Sequence, residues 1–134
     1  MSNKAKGSKN ERELLKIFKE NNWRAVRVAG SGINDDSPCD ILAAKLGKKG
    51  FAIECKSSRK DRIYISKEQI EDFLLFSSIM GFKPVIAVRF IKEGWLFLEI
   101  NHLEDCGKNY VISYENAKTK GKKFGQFFEQ VSNL

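Results

Sequence analysis

Residues 40–56 read DILAAKLGKKGFAIECK, two apolar runs joined by Gly47-Lys48-Lys49-Gly50. Glycines flanking two lysines are turn chemistry, so the runs near 40–46 and 51–56 are predicted to pair as a β-hairpin. Strand side chains alternate between faces. Phe51, Ile53 and Cys55 therefore share one face, which reads as core, while Ala52, Glu54 and Lys56 share the other. In simple register Asp40, at the open end of the hairpin, lies near Glu54 and Lys56. A strand pair otherwise built to be buried thus gathers two carboxylates and an ammonium at one end of a sheet. Burying such groups unpaired is expensive. A salt bridge satisfies one acid and leaves the other over, whereas a divalent cation satisfies both. Mg²⁺ prefers oxygen ligands and commonly takes one or two carboxylates, with waters and phosphate oxygens completing its shell.

The flanking segments set the frame around this hairpin. Residues 1–7 (MSNKAKG) read as a flexible basic arm, and Ser8-x-x-Glu11 has the form of a capping box that opens a first helix. Leu14, Leu15, Ile17 and Phe18 supply its apolar face, and Asn21-Asn22 ends it. Residues 24–29 (RAVRVA) alternate like a strand, and residues 30–38 (GSGINDDSP) are a loop by composition. Ser66-x-x-Gln69 opens a second helix that Gly81 closes. Residues 84–90 (PVIAVRF) and 95–100 (WLFLEI) form a second strand pair through the turn at Lys92-Glu93-Gly94. The order is α-β-β-β-α-β-β. The intervening helix allows a parallel pairing within a mixed sheet, with helices on both faces. Residues 101–134 form a C-terminal extension: a short strand at Tyr110–Tyr114, a basic loop at Lys118–Lys123, and a short amphipathic helix carrying Phe124, Phe127, Phe128 and Val131. At 134 residues the expectation is one domain, 1–134.

Composition narrows the partners. A formal net charge of +7 points to a polyanion such as nucleic acid or an anionic membrane surface. Three cysteines without a C-x-x-C pair, and one histidine, exclude a credible zinc set and a disulfide framework. A reducing, cytoplasmic setting is the expectation. The N-terminus does not read as a secretory signal, and no apolar run approaches the roughly 20 residues of a membrane span. No small-molecule substrate is expected.

Taken alone, Glu54-x-Lys56 is a common pattern on solvated strand faces. Its setting makes it specific. Asp40, followed after one hairpin by Glu54-Cys55-Lys56, resembles the PD-(D/E)-x-K nuclease motif, and α-β-β-β-α-β is the core order of that restriction-endonuclease-like fold. The segments Lys6-Gly7-Ser8, Asn10-Glu11-Arg12-Glu13-Leu14, Val26-Arg27-Val28-Ala29-Gly30-Ser31, Ile63-Tyr64-Ile65-Ser66-Lys67-Glu68-Gln69 and Gly94-Trp95-Leu96-Phe97 further resemble the archaeal Holliday junction resolving enzymes. That resemblance spans roughly residues 4–100.

The resemblance implies a homodimeric endonuclease that cleaves four-way DNA junctions with Mg²⁺, with Mn²⁺ as a possible substitute. It implies Asp40 and Glu54 as metal ligands, the backbone carbonyl of Cys55 facing the metal, and Lys56 as the catalytic lysine. A charged lysine among carboxylates orients an attacking hydroxide or offsets charge growing on phosphorus; it is a poor general base. Glu11 matches an acid that completes the metal site, a role that competes with capping. Ser31 matches a catalytic loop serine, competing with a plain turn residue, while Asp35 and Asp36 depart from the family pattern. Arg12 and Arg27 match basic residues near the site, where guanidinium groups grip phosphate bidentately. Lys4, Lys6, Lys9, Arg59, Lys60 and Arg62 extend the DNA-binding surface, and such contacts read shape rather than sequence. The second helix is apolar almost all round. Phe76 and Met80 match positions near the family's subunit interface; the competing expectation is that the C-terminal helix covers that face within one chain. Other nucleases of this fold, acting on duplex or damaged DNA, and a non-catalytic DNA-binding protein are the alternatives.

Overall fold

A five-stranded mixed sheet organises the chain, with strand order β1-β2-β3-β5-β6. The computed structural model describes residues 3–29, 38–91 and 93–129, with side chains from Lys9 onward. The sheet strands are β1 (Arg24–Arg27), β2 (Ile41–Ala44), β3 (Phe51–Ser58), β5 (Lys83–Phe90) and β6 (Gly94–Leu98). The predicted hairpin forms in simple register, with Ile41 opposite Ile53 and Ala43 opposite Phe51. Gly47 takes φ +82° in its turn, a conformation that glycine adopts without strain. β3 and β5 run parallel, with Glu54 opposite Ile86 and Lys56 opposite Val88. The crossover between them carries β4 (Arg62–Ser66) and α2 (Lys67–Met80).

Both faces of the sheet are covered, as expected. α1 (Asn3–Glu20) lies on one face. There Leu14, Phe18 and Trp23 pack with Phe51, Ile53, Val85, Ala87 and Phe97. The other face, bearing Ala52, Ile86, Val88 and Leu96, packs against Ile70 and Phe73 of α2. A second, three-stranded sheet of order β4-β8-β7 closes over the same side. Its remaining strands are β7 (Glu104–Cys106) and β8 (Asn109–Ser113). Ile63, Ile65 and Ile112 of this small sheet join the α2-side core. The two faces of β3 are thus two different cores, and the alternation Phe51/Ile53 against Ala52/Glu54 feeds both.

The structure corrects the sequence reading at four places. The first helix begins at Asn3, not Ser8, so residues 3–7 are helical rather than a flexible arm. Lys4, Ala5 and Lys6 are good helix formers, and the helix runs on through Gly7 despite its low propensity. Ser8 is therefore interior to the helix and not at its N-cap. Arg62–Ser66, to which the sequence pattern assigns no element, is a strand, because it pairs with β8, Ile63 opposite Ile112. A partner so distant in sequence leaves no local signature. Lys118–Lys120 lie in α3 (Tyr114–Lys120) rather than in a loop, with the Ser113 side chain accepting a hydrogen bond from the Asn116 amide at the helix start. Finally, the C-terminal helix α4 (Phe124–Phe128) does not cover α2. Phe128 packs against Phe18, Phe51 and Phe97 at 5.1, 5.1 and 4.9 Å between ring centroids, on the α1 side. The turn lysine Lys48 reaches α4, donating to the Phe128 carbonyl at 3.3 Å. Lys122 pairs with Phe97 through 2.9 and 3.0 Å backbone hydrogen bonds, which shields the outer edge of β6. Among the described residues no helix is long and apolar enough to cross a membrane.

Candidate active site

Asp40 sits one residue before β2 and continues its ladder on both sides. Its carbonyl accepts from the Val28 amide at 2.9 Å and its amide donates to the Ile53 carbonyl at 3.0 Å. The backbone is thereby fixed, and the side chain turns to the adjacent strand, where Oδ2 accepts the Cys55 amide at 2.7 Å. That bond exists because β2 has ended, so the carboxylate takes the place of the next ladder carbonyl. A strand residue's N–H and C=O point to the same side, so the Cys55 carbonyl lies on the Asp40 side as well.

Glu54 points to the α2 face and is 4% exposed. Its Oε2 accepts the Gln69 side-chain amide at 2.7 Å. Burial pushes its carboxyl up to about 9; the neighbouring Asp40 carboxyl and its charge push the same way, and Lys56 and Gln69 pull it back only in part. Lys56, two residues on and half-buried, shares this face. The structure therefore brings Asp40, Glu54 and Lys56 together toward the carboxyl ends of the parallel strands β3 and β5, where open α/β sheets bind their ligands. Two carboxyl groups side by side, one of them buried, match the donor set of a hard divalent cation.

Glu11 approaches from the α1 face. Its Oε1 accepts from Arg27 Nε at 3.0 Å. Burial raises its carboxyl above the ordinary value, and the Asp40 charge adds to this, while Arg27 opposes both. Glu11 thus feels Asp40 but is turned to Arg27. Among the described residues no group of three or more His, Cys, Asp or Glu side chains is arranged to hold a metal. Asp40 and Glu54 are in direct contact, and Glu11 lies near enough to feel the Asp40 charge. Burial, with Glu54 and Asp40 nearby, lifts the Cys39 thiol to about 12, and burial lifts the Cys55 thiol well above its usual range, so neither is a ready nucleophile.

The remaining sequence candidates fall in three groups. Lys9 and Arg12 are exposed on α1, and Arg59, Lys60 and Arg62 are exposed where β3 passes into β4. Lys4 and Lys6 are in the first turns of α1, with side chains outside the described set. Ser31, Asp35 and Asp36 lie outside the described residues. On α2, Phe76 is half-buried against the core, whereas Leu75, Ile79 and Met80 are 61%, 74% and 50% exposed.

Sequence reasoning missed two features. Gln69 carries a capping pattern in the sequence, yet its side chain donates to Glu54; the one signal for this is its place in the family-like run Ile63–Gln69. A polar seam that docks α1 was missed altogether. Asn10 donates to Ser57 Oγ at 2.8 Å, and Glu13 accepts from Arg89 Nε and Trp95 Nε1, each at 3.1 Å. With Glu11 on Arg27, the first half of α1 is tied to β1, β3, β5 and β6.

A carboxylate pair with one member buried and a lysine on a central hairpin, in a frame of α-β-β-β-α-β with β4 added before α2, define a nuclease of the restriction-endonuclease-like class. Comparison with known proteins narrows this. A family model described as archaeal Holliday junction resolvase (Hjc) matches residues 2–133, and the chain belongs to that family of junction-resolving endonucleases. It is 40% identical over 107 residues to the crossover junction endodeoxyribonuclease Hjc of Methanocaldococcus jannaschii, covering 80% of this chain and 75% of that protein. It is 31% identical over 132 residues to the Archaeoglobus fulgidus enzyme of the same name, covering 93% of this chain and 96% of the other. The solved structure of A. fulgidus Hjc, titled a Holliday junction resolvase, superposes with a TM-score of 0.79 at 28% identity, covering 90% of this chain and 93% of that one. The resolvase nuclease family implies dependence on a divalent metal.

Proposed function

We propose that this protein resolves four-way DNA junctions, hydrolysing phosphodiesters with Mg²⁺ and introducing symmetric paired nicks as a homodimer. The observation that carries the reading is Glu54, a 4% exposed carboxyl group placed beside Asp40 at the mouth of the sheet. A fold has little reason to keep two acids there without a cation. In this reading Asp40 and Glu54 hold Mg²⁺, with the Cys55 carbonyl on the same side. When bound, the ion polarises the phosphodiester and lowers the pKa of a water. Lys56 donates hydrogen bonds to the phosphate region and offsets the charge that grows there. Glu11 keeps Arg27 in place at the edge of the site. Lys4, Lys6, Lys9, Arg12, Arg59, Lys60 and Arg62 meet backbone phosphates, and Ser31 contributes to catalysis. Phosphate contacts of this kind position a duplex without reading its sequence, which suits a substrate recognised by shape.

The homodimer rests on α2. Leu75, Phe76, Ile79 and Met80 form one stripe of neighbouring turns, and α4, the only segment expected to cover it within the chain, packs on the other face of the sheet. A second copy of the same stripe is a self-complementary cover, and two-fold symmetry supplies two sites for two nicks.

The direct test is cleavage of a synthetic four-way junction, a linear duplex and a single strand, each with Mg²⁺ and with chelator. Paired symmetric nicks confined to the junction support the proposal. Cleavage of all three substrates assigns a general nuclease instead, and binding without cleavage in Mg²⁺ assigns a non-catalytic DNA-binding protein.

A further inference from the structure

Gln69 is the third residue of α2. Its backbone is fixed, because its amide donates to the N-cap hydroxyl of Ser66 at 3.1 Å. In a capping box its side chain would reach back to the Ser66 amide. Instead the side-chain amide donates to Glu54 Oε2 at 2.7 Å, across to the central strand. The helix start thus gives up half of its cap to hold one oxygen of a buried acid.

The chemical type of the donor matters. A lysine or arginine in this place would neutralise Glu54 and compete with a cation. An acid would add a third repelling carboxylate. A carboxamide orients a carboxylate and leaves its charge available. We propose that Gln69 is a positioning residue for the cation site: its amide holds one oxygen of Glu54, fixing the carboxylate beside Asp40 and leaving the other oxygen for the ion. This rests on the nuclease reading above. Hydrogen-bonded partners of metal-binding carboxylates commonly set metal affinity by about 10- to 100-fold.

The experiment uses the full-length protein and three single variants. Gln69→Met keeps length and helix propensity but removes the donor. Gln69→Asn keeps the amide but shortens its reach. Ser66→Ala weakens the helix cap without touching the Gln69 side chain. Binding of Mn²⁺ to the DNA-free protein is followed by the electron paramagnetic resonance of free Mn²⁺, alongside thermal melting and the Mn²⁺ dependence of junction cleavage. Both Gln69 variants are expected to bind Mn²⁺ about tenfold more weakly. The cleavage midpoint should move to higher Mn²⁺ by a similar factor, with the maximal rate recovering at saturating Mn²⁺. Ser66→Ala should melt lower but bind Mn²⁺ as wild type does. Unchanged Mn²⁺ affinity in a folded Gln69 variant overturns the proposal. So does an equal loss of affinity in Ser66→Ala, which reduces Gln69 to a helix-start residue. Wild-type protein that binds no Mn²⁺ and cleaves no junction sinks the nuclease reading itself, a result distinct from either.

Discussion

Glu54 is a carboxyl group in a place that water does not reach, and the chemistry of the site follows from that. A folded-state pKa raised from 4.5 to about 9 means that the metal-free fold keeps a proton that the unfolded chain has lost. The stability this contributes is fully present below about pH 4.5 and is lost as pH rises from there through about 9. The metal-free protein should therefore melt lower at pH 8 than at pH 5. Glu54→Gln, which cannot ionise, should flatten that dependence and gain on the order of 1–3 kcal/mol at pH 8 in chelator. Melting curves of both proteins at the two pH values check this; parallel slopes would count against a strained acid. The Asp40 side chain accepts the Cys55 amide at 2.7 Å. Asp40→Asn can keep a hydrogen-bonding side chain there but loses the charge. It is expected to abolish junction cleavage and leave junction binding and folding intact, as gel shift and circular dichroism would report. Undiminished cutting would remove Asp40 from the site.

At the level of elements, what the sequence made legible followed from short-range pattern. The hairpin of β2 and β3, the parallel β5, and the ends of α2 at Ser66 and Gly81 all rest on alternation, turn glycines and caps within a few residues. The convergence of Asp40, Glu54 and Lys56 was readable for the same reason, since one hairpin carries all three. What escaped was decided by distant partners. β4 is a strand because β8 pairs with it, and Gln69 meets Glu54 only once α2 docks. Glu11 belongs to Arg27 because α1 runs past Ser8 and crosses the sheet. The same holds for α4, whose phenylalanines were recognised as an amphipathic set but whose face could not be chosen from sequence. Phe128 is fully buried among Phe18, Trp23, Phe51 and Phe97. Phe128→Ala is expected to cost about 3–5 kcal/mol, a large part of a domain's stability. Urea unfolding in one transition, with its midpoint lowered accordingly, would make the C-terminal extension part of the same cooperative unit. A loss under about 1 kcal/mol would make it an appendage.

Across the whole molecule, surface charge sets how DNA is engaged. The net charge of +7, with exposed Lys9, Arg12, Arg59, Lys60 and Arg62 flanking the carboxylates, implies binding dominated by counterion release. Junction affinity should fall steeply with salt, with a log–log slope of about −4 to −6. A flat response would undercut the basic surface. The α2 stripe makes a separate demand. Met80 is 50% exposed, so Met80→Glu should fold, yet it should place repelling charges across a two-fold contact. Light scattering is expected to show a wild-type dimer and a monomeric variant; identical masses would move the interface elsewhere.

In the proposed function Asp40 and Glu54 are brought together to hold a divalent ion at the point of cleavage. Anomalous diffraction from crystals equilibrated with Mn²⁺ reads this directly. A peak is expected between the Asp40 and Glu54 carboxylates, on the side of the Cys55 carbonyl, and it should disappear in Asp40→Asn. A protein that cleaves junctions with its Mn²⁺ bound elsewhere would contradict the proposal.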